Sequence, residues 1–207
     1  MPAVSRPGPP SDRRPPQGQV LPAAFFARDP LEVAPQLLGK LLVREIGGLA
    51  LWGRLVEVEA YKGPDDLAAH SSRGRTPRTE VMFGPPGRAY VYFVYGMHYC
   101  LNFVCQPEGM PEAILVRALD PGPGVSRANG PGLVCRALQI DRSLNAAALE
   151  PPRLYLLDDG LRPAPIVAGP RIGVGYAREW AARPWRFCLD SPYLSKPAPP
   201  LLRRRSP

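Results

Sequence analysis

Two glutamates interrupt an apolar run in the first third of this 207-residue chain. Residues 55–61 read LVEVEAY, which places Glu57 and Glu59 among leucine, valine and alanine. The residue types favour a β-strand, and its two-residue period puts Glu57, Glu59 and Tyr61 on one face. A buried carboxylate is costly unless it is paired or used in chemistry. The run therefore predicts either a solvated strand face or a site built around a carboxylate.

Aromatic residues gather around the same strand. The region 61–99 contains both histidines of the protein and five tyrosines: His70, His98, Tyr61, Tyr90, Tyr92, Tyr95 and Tyr99. In the run AYVYFVYGMHYC, Tyr90 and Tyr92 share a strand face, and Tyr95-Gly96-Met97 forms a predicted hairpin tip. A large apolar side chain at an exposed turn gains nothing from folding and indicates insertion into a partner. Together these residues predict a pocket that stacks a flat ligand over a general base.

The charge of the chain indicates an anionic partner. The formal net charge is +8, and much of it lies at the proline-rich ends: residues 1–22 carry +2 and residues 190–207 carry +3. A basic tail binds any polyanion, so charge alone does not distinguish nucleic acid from a membrane surface. We expect the tails to add affinity without specificity.

The distribution of predicted elements favours an α+β fold. Asp29-Pro30 is typical of a helix start, with an N-cap followed by proline at the first helical position. Predicted strands outnumber helices and no βαβ unit repeats, which favours a largely antiparallel sheet. The strands are predicted at 41–44, 50–60, 89–94, 99–105, 113–118 and 154–157. We therefore expect a single mixed domain, with a curved, largely antiparallel β-sheet, surrounding helices and a protruding β-hairpin. It spans 23–190, between disordered tails at 1–22 and 191–207.

Several other classes of site do not fit the sequence. The four cysteines include no C-x-x-C pair, and with two histidines they make no convincing zinc site. Nothing like G-x-S-x-G accompanies His70-Ser71, and Gly173-x-Gly175 lacks the third glycine of a dinucleotide-binding motif. No apolar run is long enough for a membrane span. Gly130-Pro131-Gly132 is either an ordinary tight turn or a set of amide donors to a phosphate.

Several segments, taken together and in their order along the chain, resemble the alkyladenine (3-methyladenine) DNA glycosylase family. These segments are VEVEAY (56–61), AAHSSRGRTPR (68–78), MFGPPGRAYVYFVYGMHYCLN (82–102), LVRAL (115–119), GPG (130–132) and RIGVGYAREWAARPWRF (171–187). They cover roughly 23–190. Each would be weak evidence alone, but the set is specific.

The resemblance implies a role for particular residues. Glu59 activates the hydrolytic water and Arg117 helps to hold that water. Tyr61 and His70 enclose the extruded base, Tyr92 stacks on it, and Asn102 borders its purine edge and screens against guanine. The resemblance thus implies that Glu59 and Arg117 are catalytic and that the base pocket consists of Tyr61, His70, Tyr92 and Asn102.

The resemblance also implies a surface for DNA. Tyr95 fills the gap left in the duplex, and Gly96, Met97 and Arg75 contact DNA beside it. Leu133 follows GPG where mammalian relatives carry lysine, which puts a phosphate contact there in doubt.

The implied protein is a monofunctional bacterial enzyme. It is a monomer without cofactor or metal, located in the cytoplasm, whose partner is double-stranded DNA containing damaged purines. Two alternatives remain: a lesion-binding protein without catalysis, and a bifunctional glycosylase–lyase that uses Lys62 as its amine nucleophile.

Overall fold

One antiparallel β-sheet organises residues 14–199, the part of the chain that the computed structural model describes. Apolar, β-branched and aromatic residues dominate its strands, as expected for pleated and largely buried elements. The strands are β1 (Gln19–Val20), β2 (Leu41–Ile46), β3 (Leu49–Tyr61), β4 (Ala89–Val94), β5 (His98–Cys105), β6 (Glu112–Pro121), β7 (Leu154–Asp158), β8 (Ile166–Gly169) and β9 (Arg186–Leu189).

Strand β3 is the central strand of the sheet. The sheet runs in the order β1-β7-β2-β3-β6-β5-β4, and β9 pairs with both β3 and β8. The register of β3 against β6 shifts around Glu57, where a bulge interrupts the regular ladder. Glu57, Val58 and Glu59 also pair with β9 on the other side. The two glutamates therefore lie at the most enclosed part of the sheet, where three strands meet.

The helices are short and cover one face of the sheet. They are α1 (Ala23–Phe26), α2 (Pro30–Leu37) and α3 (Pro131–Ala137), with 3₁₀ turns at His70–Arg73, Glu80–Phe83, Arg142–Leu144 and within Gly175–Ala182. Asp29 caps α2 by accepting a hydrogen bond from the Leu31 amide at 2.8 Å. Val33, Ala34 and Leu37 of this helix are fully buried in the main core, against apolar residues of β3 and β6. Such burial supplies most of the driving force that fixes a short helix.

The predicted fold is confirmed. The described residues form a mixed α+β domain with a largely antiparallel sheet of nine strands. The hairpin lies at one edge of that sheet, where β4 and β5 pair around the tip that the sequence indicates. Within residues 14–199, no helix is both long and apolar enough to cross a membrane.

Contacts with the domain extend beyond the predicted 23–190 at both ends. Gln19 and Val20 pair with β7, and Ser195 binds Glu57, although both stretches fall within the predicted tails. The reason is backbone pairing: proline-rich composition lowers the tendency to fold, but an open sheet edge or a buried carboxylate still binds free amide groups. The parts of the predicted tails at 1–13 and 200–207 lie outside the described residues.

Candidate active site

A cavity of about 500 Å³ lies between the hairpin, the end of β3 and the first turn of α3. This volume is within the usual range for sites that bind small organic groups. Asn102 and Arg117 contribute polar groups to its lining, and most of its remaining wall is apolar or aromatic. The aromatic residues that line it are Tyr61, His70, Tyr90, Tyr92, Tyr95, His98 and Tyr176.

Glu59 lies directly behind the wall of this cavity and is fully buried. Its Oε2 accepts hydrogen bonds from the Tyr61 hydroxyl at 2.8 Å and from Arg117 Nη1 at 3.3 Å. Its Oε1 accepts one from the Ile172 amide at 2.8 Å. All three donor residues line the cavity. A carboxylate offers about four acceptor positions, so these donors leave one for a further O–H group.

Burial dominates the protonation behaviour of Glu59. Removal from water raises the pKa of the carboxyl group, and the opposing effects of Arg117, the Ile172 amide and the Tyr61 hydroxyl only partly offset this. Burial and the neighbouring Glu59 likewise hold the pKa of Tyr61 well above its usual value, so that its hydroxyl remains a donor. A carboxylate with a raised pKa is a better proton acceptor than an ordinary surface glutamate.

Glu57 anchors a buried charge network next to Glu59. Its Oε1 accepts hydrogen bonds from Arg186 Nε at 2.7 Å and from Arg117 Nε at 3.2 Å. The Ser195 amide donates to its Oε2 at 2.6 Å. Glu57 is fully buried, so the interpretation as a solvated strand glutamate is wrong for both carboxylates. The cause is the layer of groups packed over this face, Arg117, Arg186 and the segment around Ser195, which bind Glu57 and exclude water from it.

A second buried ion pair holds the backbone next to Ile172, whose amide donates a hydrogen bond to Glu59. Arg171 binds Asp66 with both terminal nitrogens, at 2.5 and 2.8 Å. Its guanidinium also stacks on the ring of Tyr61, 4.6 Å from the centroid, and on Trp185 at 4.9 Å. This arrangement fixes the backbone just before Ile172, whose amide binds Glu59. Sequence reasoning assigned no role to Arg171 or Asp66. Arg171 begins the resembling segment 171–187, whereas Asp66 lies outside all of these segments.

His70, Tyr90 and Tyr92 form the aromatic wall of the cavity. The His70 ring meets Tyr92 nearly edge-on at 4.6 Å, and its Nδ1 lies 3.0 Å from the Tyr90 hydroxyl. Burial, together with Arg78 and Arg73, lowers the pKa of His70 to about 4. The ring is therefore neutral near pH 7. Asn102 is buried beside this wall and donates from Nδ2 to the Tyr90 carbonyl oxygen at 3.2 Å.

The hairpin tip presents apolar side chains to solvent. Tyr95 is 86% exposed and Met97 is 70% exposed. The backbone of Tyr95 and Gly96 adopts positive φ values of 53° and 65°, a conformation that costs energy at a tyrosine. Arg75, in contrast, forms a bidentate ion pair with Glu80 on the surface, at 2.9 and 2.7 Å. Its engagement with DNA would require exchange of that partner.

The remaining candidates lie around the cavity or away from it. Gly130, Gly132 and Leu133 line the cavity at the start of α3. Lys62 does not line it, and its ammonium group forms an ion pair with Asp29 at the start of α2. The structure thus brings together Glu59, Arg117, Tyr61, His70, Tyr92 and Asn102, while Lys62 and Arg75 are bound elsewhere.

Comparison with known proteins identifies the family. The family model for methylpurine-DNA glycosylase (MPG) matches residues 24–192. A protein of Anaeromyxobacter dehalogenans (strain 2CP-C), named "Putative 3-methyladenine DNA glycosylase", is 52% identical over 185 residues, covering 86% of this chain and 88% of its own length. Proteins with the same name from Myxococcus xanthus and Legionella pneumophila (strain Lens) are each 50% identical, covering 89% and 85% of this chain and 97% and 98% of their own. The chain therefore belongs to the methylpurine-DNA glycosylase family of DNA-repair hydrolases.

Proposed function

We propose that this protein removes damaged purines from double-stranded DNA by hydrolysis, with Glu59 as the general base. The proposed substrates are 3-methyladenine, 7-methylguanine, hypoxanthine and ethenoadenine, and the proposed product is an abasic site. The observation that carries the proposal is the position of Glu59: a fully buried carboxylate with a raised pKa, bound by three residues that line an aromatic cavity.

The chemistry follows from the leaving group. Glycoside hydrolysis ordinarily uses two carboxyl groups, one as acid and one as base. An N3- or N7-alkylated purine already carries positive charge, so it departs without protonation and one base suffices. Hypoxanthine and ethenoadenine are neutral, so their departure also requires a proton, supplied by solvent or by a main-chain donor. Glu59 accepts a proton from water, and the water oxygen attacks C1′ of the deoxyribose. The N-glycosidic bond breaks, and its electron pair leaves with the purine.

Arg117 gives this step its geometry. Its guanidinium binds both Glu57 and Glu59 and also faces the cavity, so it holds the carboxylate and the water in one orientation. Positioning of a reacting pair removes a large part of the entropic barrier. Glu57 offsets the charge of Arg117 from behind and takes no proton in this scheme.

The aromatic residues account for extrusion of the nucleotide. The target bond is inaccessible within stacked DNA, and rotating a nucleotide out costs a few kcal/mol. Tyr95, which is exposed at the hairpin tip, replaces the lost stacking within the duplex. Tyr92, Tyr61 and the neutral His70 enclose the base in the cavity, and Asn102 lies at its edge.

The position of Lys62 favours a monofunctional enzyme over a glycosylase–lyase. A lyase needs an amine that reaches C1′ of the extruded sugar. The Lys62 ammonium is ion-paired with Asp29 and is absent from the cavity lining. Borohydride treatment during turnover should therefore trap no covalent protein–DNA adduct.

Replacement of Glu59 by glutamine tests the central claim. Under single-turnover conditions with a hypoxanthine or 3-methyladenine duplex, Glu59→Gln should slow base release by roughly 10²–10⁴-fold, the usual contribution of a general base. Binding of lesion DNA should be retained, because the variant also removes a negative charge near the phosphates. Glu32→Gln, at an exposed position of α2, is the matched control and should behave as wild type. Near-normal turnover by Glu59→Gln would overturn the proposal, and retained binding without catalysis by the wild type would favour a lesion-binding protein.

A further inference from the structure

The segment after β9 returns to the buried charges of the active site. The Ser195 amide donates to Glu57 Oε2 at 2.6 Å, and its hydroxyl donates to Glu57 Oε1 at 2.8 Å. The same hydroxyl accepts a hydrogen bond from Arg117 Nε at 3.3 Å. The next two residues, Lys196 and Pro197, accept hydrogen bonds from Arg186 through their carbonyl oxygens, at 2.7 and 3.2 Å. This short segment is thus bound to three of the buried charged groups.

Within residues 14–199, Arg117 is held by several long contacts and by no short one. Its distances to Glu57, Glu59 and Ser195 are 3.2, 3.3 and 3.3 Å. Charge-assisted N–H···O bonds are typically about 2.7–2.9 Å long. No single partner therefore fixes the guanidinium, and its orientation depends on all three. Arginine also has several rotatable bonds, so loss of one contact allows the group to turn.

We propose that Ser195 is a positioning residue for hydrolysis of the glycosidic bond. It ties Glu57 and Arg117 together, and thereby keeps the Arg117 guanidinium aimed at Glu59 and at the water beside it. Ser195 does not line the cavity, so it acts only through these two neighbours. This inference rests on the proposed role of Glu59 as the base.

Ser195→Ala isolates this role because it changes no charge. The amide bond to Glu57 remains, and Arg186 still binds Glu57 at 2.7 Å. The variant removes only the hydroxyl that joins Arg117 to Glu57. The network therefore keeps its ion pairs, while Arg117 loses one of its three constraints.

The test is single-turnover base release at several pH values, using the full-length protein and a 3-methyladenine duplex. Ser195→Ala should release the base about tenfold more slowly, the effect of one hydrogen bond felt at the transition state. Its affinity for lesion DNA should change less than about twofold, since no residue that faces DNA is altered. Ser195→Thr, which keeps a hydroxyl, should restore most of the rate.

The pH profile separates positioning from mere support of the fold. The groups that face Glu59 are Arg117, Tyr61 and Glu57, with Arg171 against the ring of Tyr61 and Arg186 behind Glu57. If Arg117 turns away, the charged form of Glu59 loses stabilisation. The acid limb of the rate should therefore move to higher pH in Ser195→Ala.

Ser191→Ala is the matched control on the same segment. Ser191 is half-buried, and its hydroxyl accepts a hydrogen bond from the Tyr193 amide; among the described hydrogen bonds it has none to Glu57. This variant should match the wild type in rate and pH profile. The inference is overturned if Ser195→Ala keeps the wild-type rate, or if it is slower with an unshifted acid limb. Glu59→Gln separates the two claims: if it is inactive while Ser195→Ala is normal, only the role of Ser195 fails.

Discussion

The two ends of the candidate active-site cavity are built on opposite principles. At its floor, Glu57 and Glu59 are fully buried, and arginine, tyrosine, serine or backbone groups occupy their oxygens. At its mouth, Tyr95 is 86% exposed with a positive φ. The floor satisfies its polar groups within the protein, whereas the tip leaves an apolar side chain in water.

This difference matches two different demands of the proposed reaction. Stabilising a reacting water requires groups that are in place beforehand, since reorganisation during the reaction raises the barrier. Replacing a base within a duplex requires a side chain whose partner is external. The strained backbone and the exposed ring of Tyr95 indicate a residue that binds an external partner, because the described contacts of the folded chain do not stabilise either feature. Mutations at the floor should therefore affect the fold, and mutations at the tip should not.

The largest effect on stability should come from breaking the floor. Glu57→Ala leaves Arg117 and Arg186 without their common carboxylate, and an uncompensated buried charge destabilises by about 3–5 kcal/mol. Urea denaturation should show a corresponding fall in the free energy of unfolding. Glu32→Ala, on the exposed face of α2, should stay within about 0.5 kcal/mol of wild type. Equal midpoints for the two variants would mean that the network does not hold the fold.

Tyr95→Ala should have the reverse profile. The free energy of unfolding should be almost unchanged, because the side chain is exposed. Excision of hypoxanthine from a stable duplex should slow by about 10- to 100-fold, the equivalent of one lost base–aromatic stack. Excision from a bulged lesion should slow much less, because little stacking remains to be replaced. Tyr92→Ala should instead slow excision from both substrates to the same extent. If Tyr95→Ala also slowed excision equally from the stable duplex and from the bulge, Tyr95 would be a packing residue.

The smallest predicted effect is on the pH dependence of stability, and it comes from His70 in the aromatic wall of the cavity. Burial lowers the pKa of His70 to about 4, from an ordinary value of 6.5. Between these values the unfolded chain takes up a proton that the folded chain excludes. The stability that the neutral His70 side chain contributes is therefore fully present above pH 6.5 and is lost as the pH falls towards 4.

His70→Gln should remove this part of the pH dependence. At pH 5.5, protonation of His70 in the unfolded chain lowers the free energy of unfolding by about 1 kcal/mol. It is measured as the difference in unfolding free energy between pH 7.5 and pH 5.5, compared between variant and wild type. An identical difference in both proteins would show that His70 is not shielded from protonation.

Local pattern was sufficient to predict much of the fold and part of the site. Alternation around Glu57 and Glu59 indicates a strand with two acids on one face, and in the structure both glutamates accept hydrogen bonds from Arg117. The tip at Tyr95-Gly96-Met97 follows from two β-rich runs separated by a turn. These features depend on neighbours within about ten residues, where periodicity and turn chemistry are informative.

Pattern did not predict which groups complete the site. Ser195 lies 138 residues from Glu57, Arg186 lies 129 residues from it, and the Ile172 amide lies 113 residues from Glu59. Ser195 lies in a proline-rich, basic terminal region, which indicates only a solvated tail, and Arg186 lies in a resembling segment without an assigned role. The pairing of β9 with β3 brings them to the carboxylates, and nothing in the local sequence of 186–195 specifies that pairing.

The sequence by itself determined six of the nine strands of the described region, the hairpin, the acid-bearing face and, through its ordered set of segments, the family. Only the tertiary structure decided that both glutamates are buried, that Arg117 bridges them, and that the segment after β9 closes the network. The physical reason is that side-chain periodicity is a local property of the backbone. The partners of a buried charge depend instead on which distant strands meet, and that is set by packing of the whole domain.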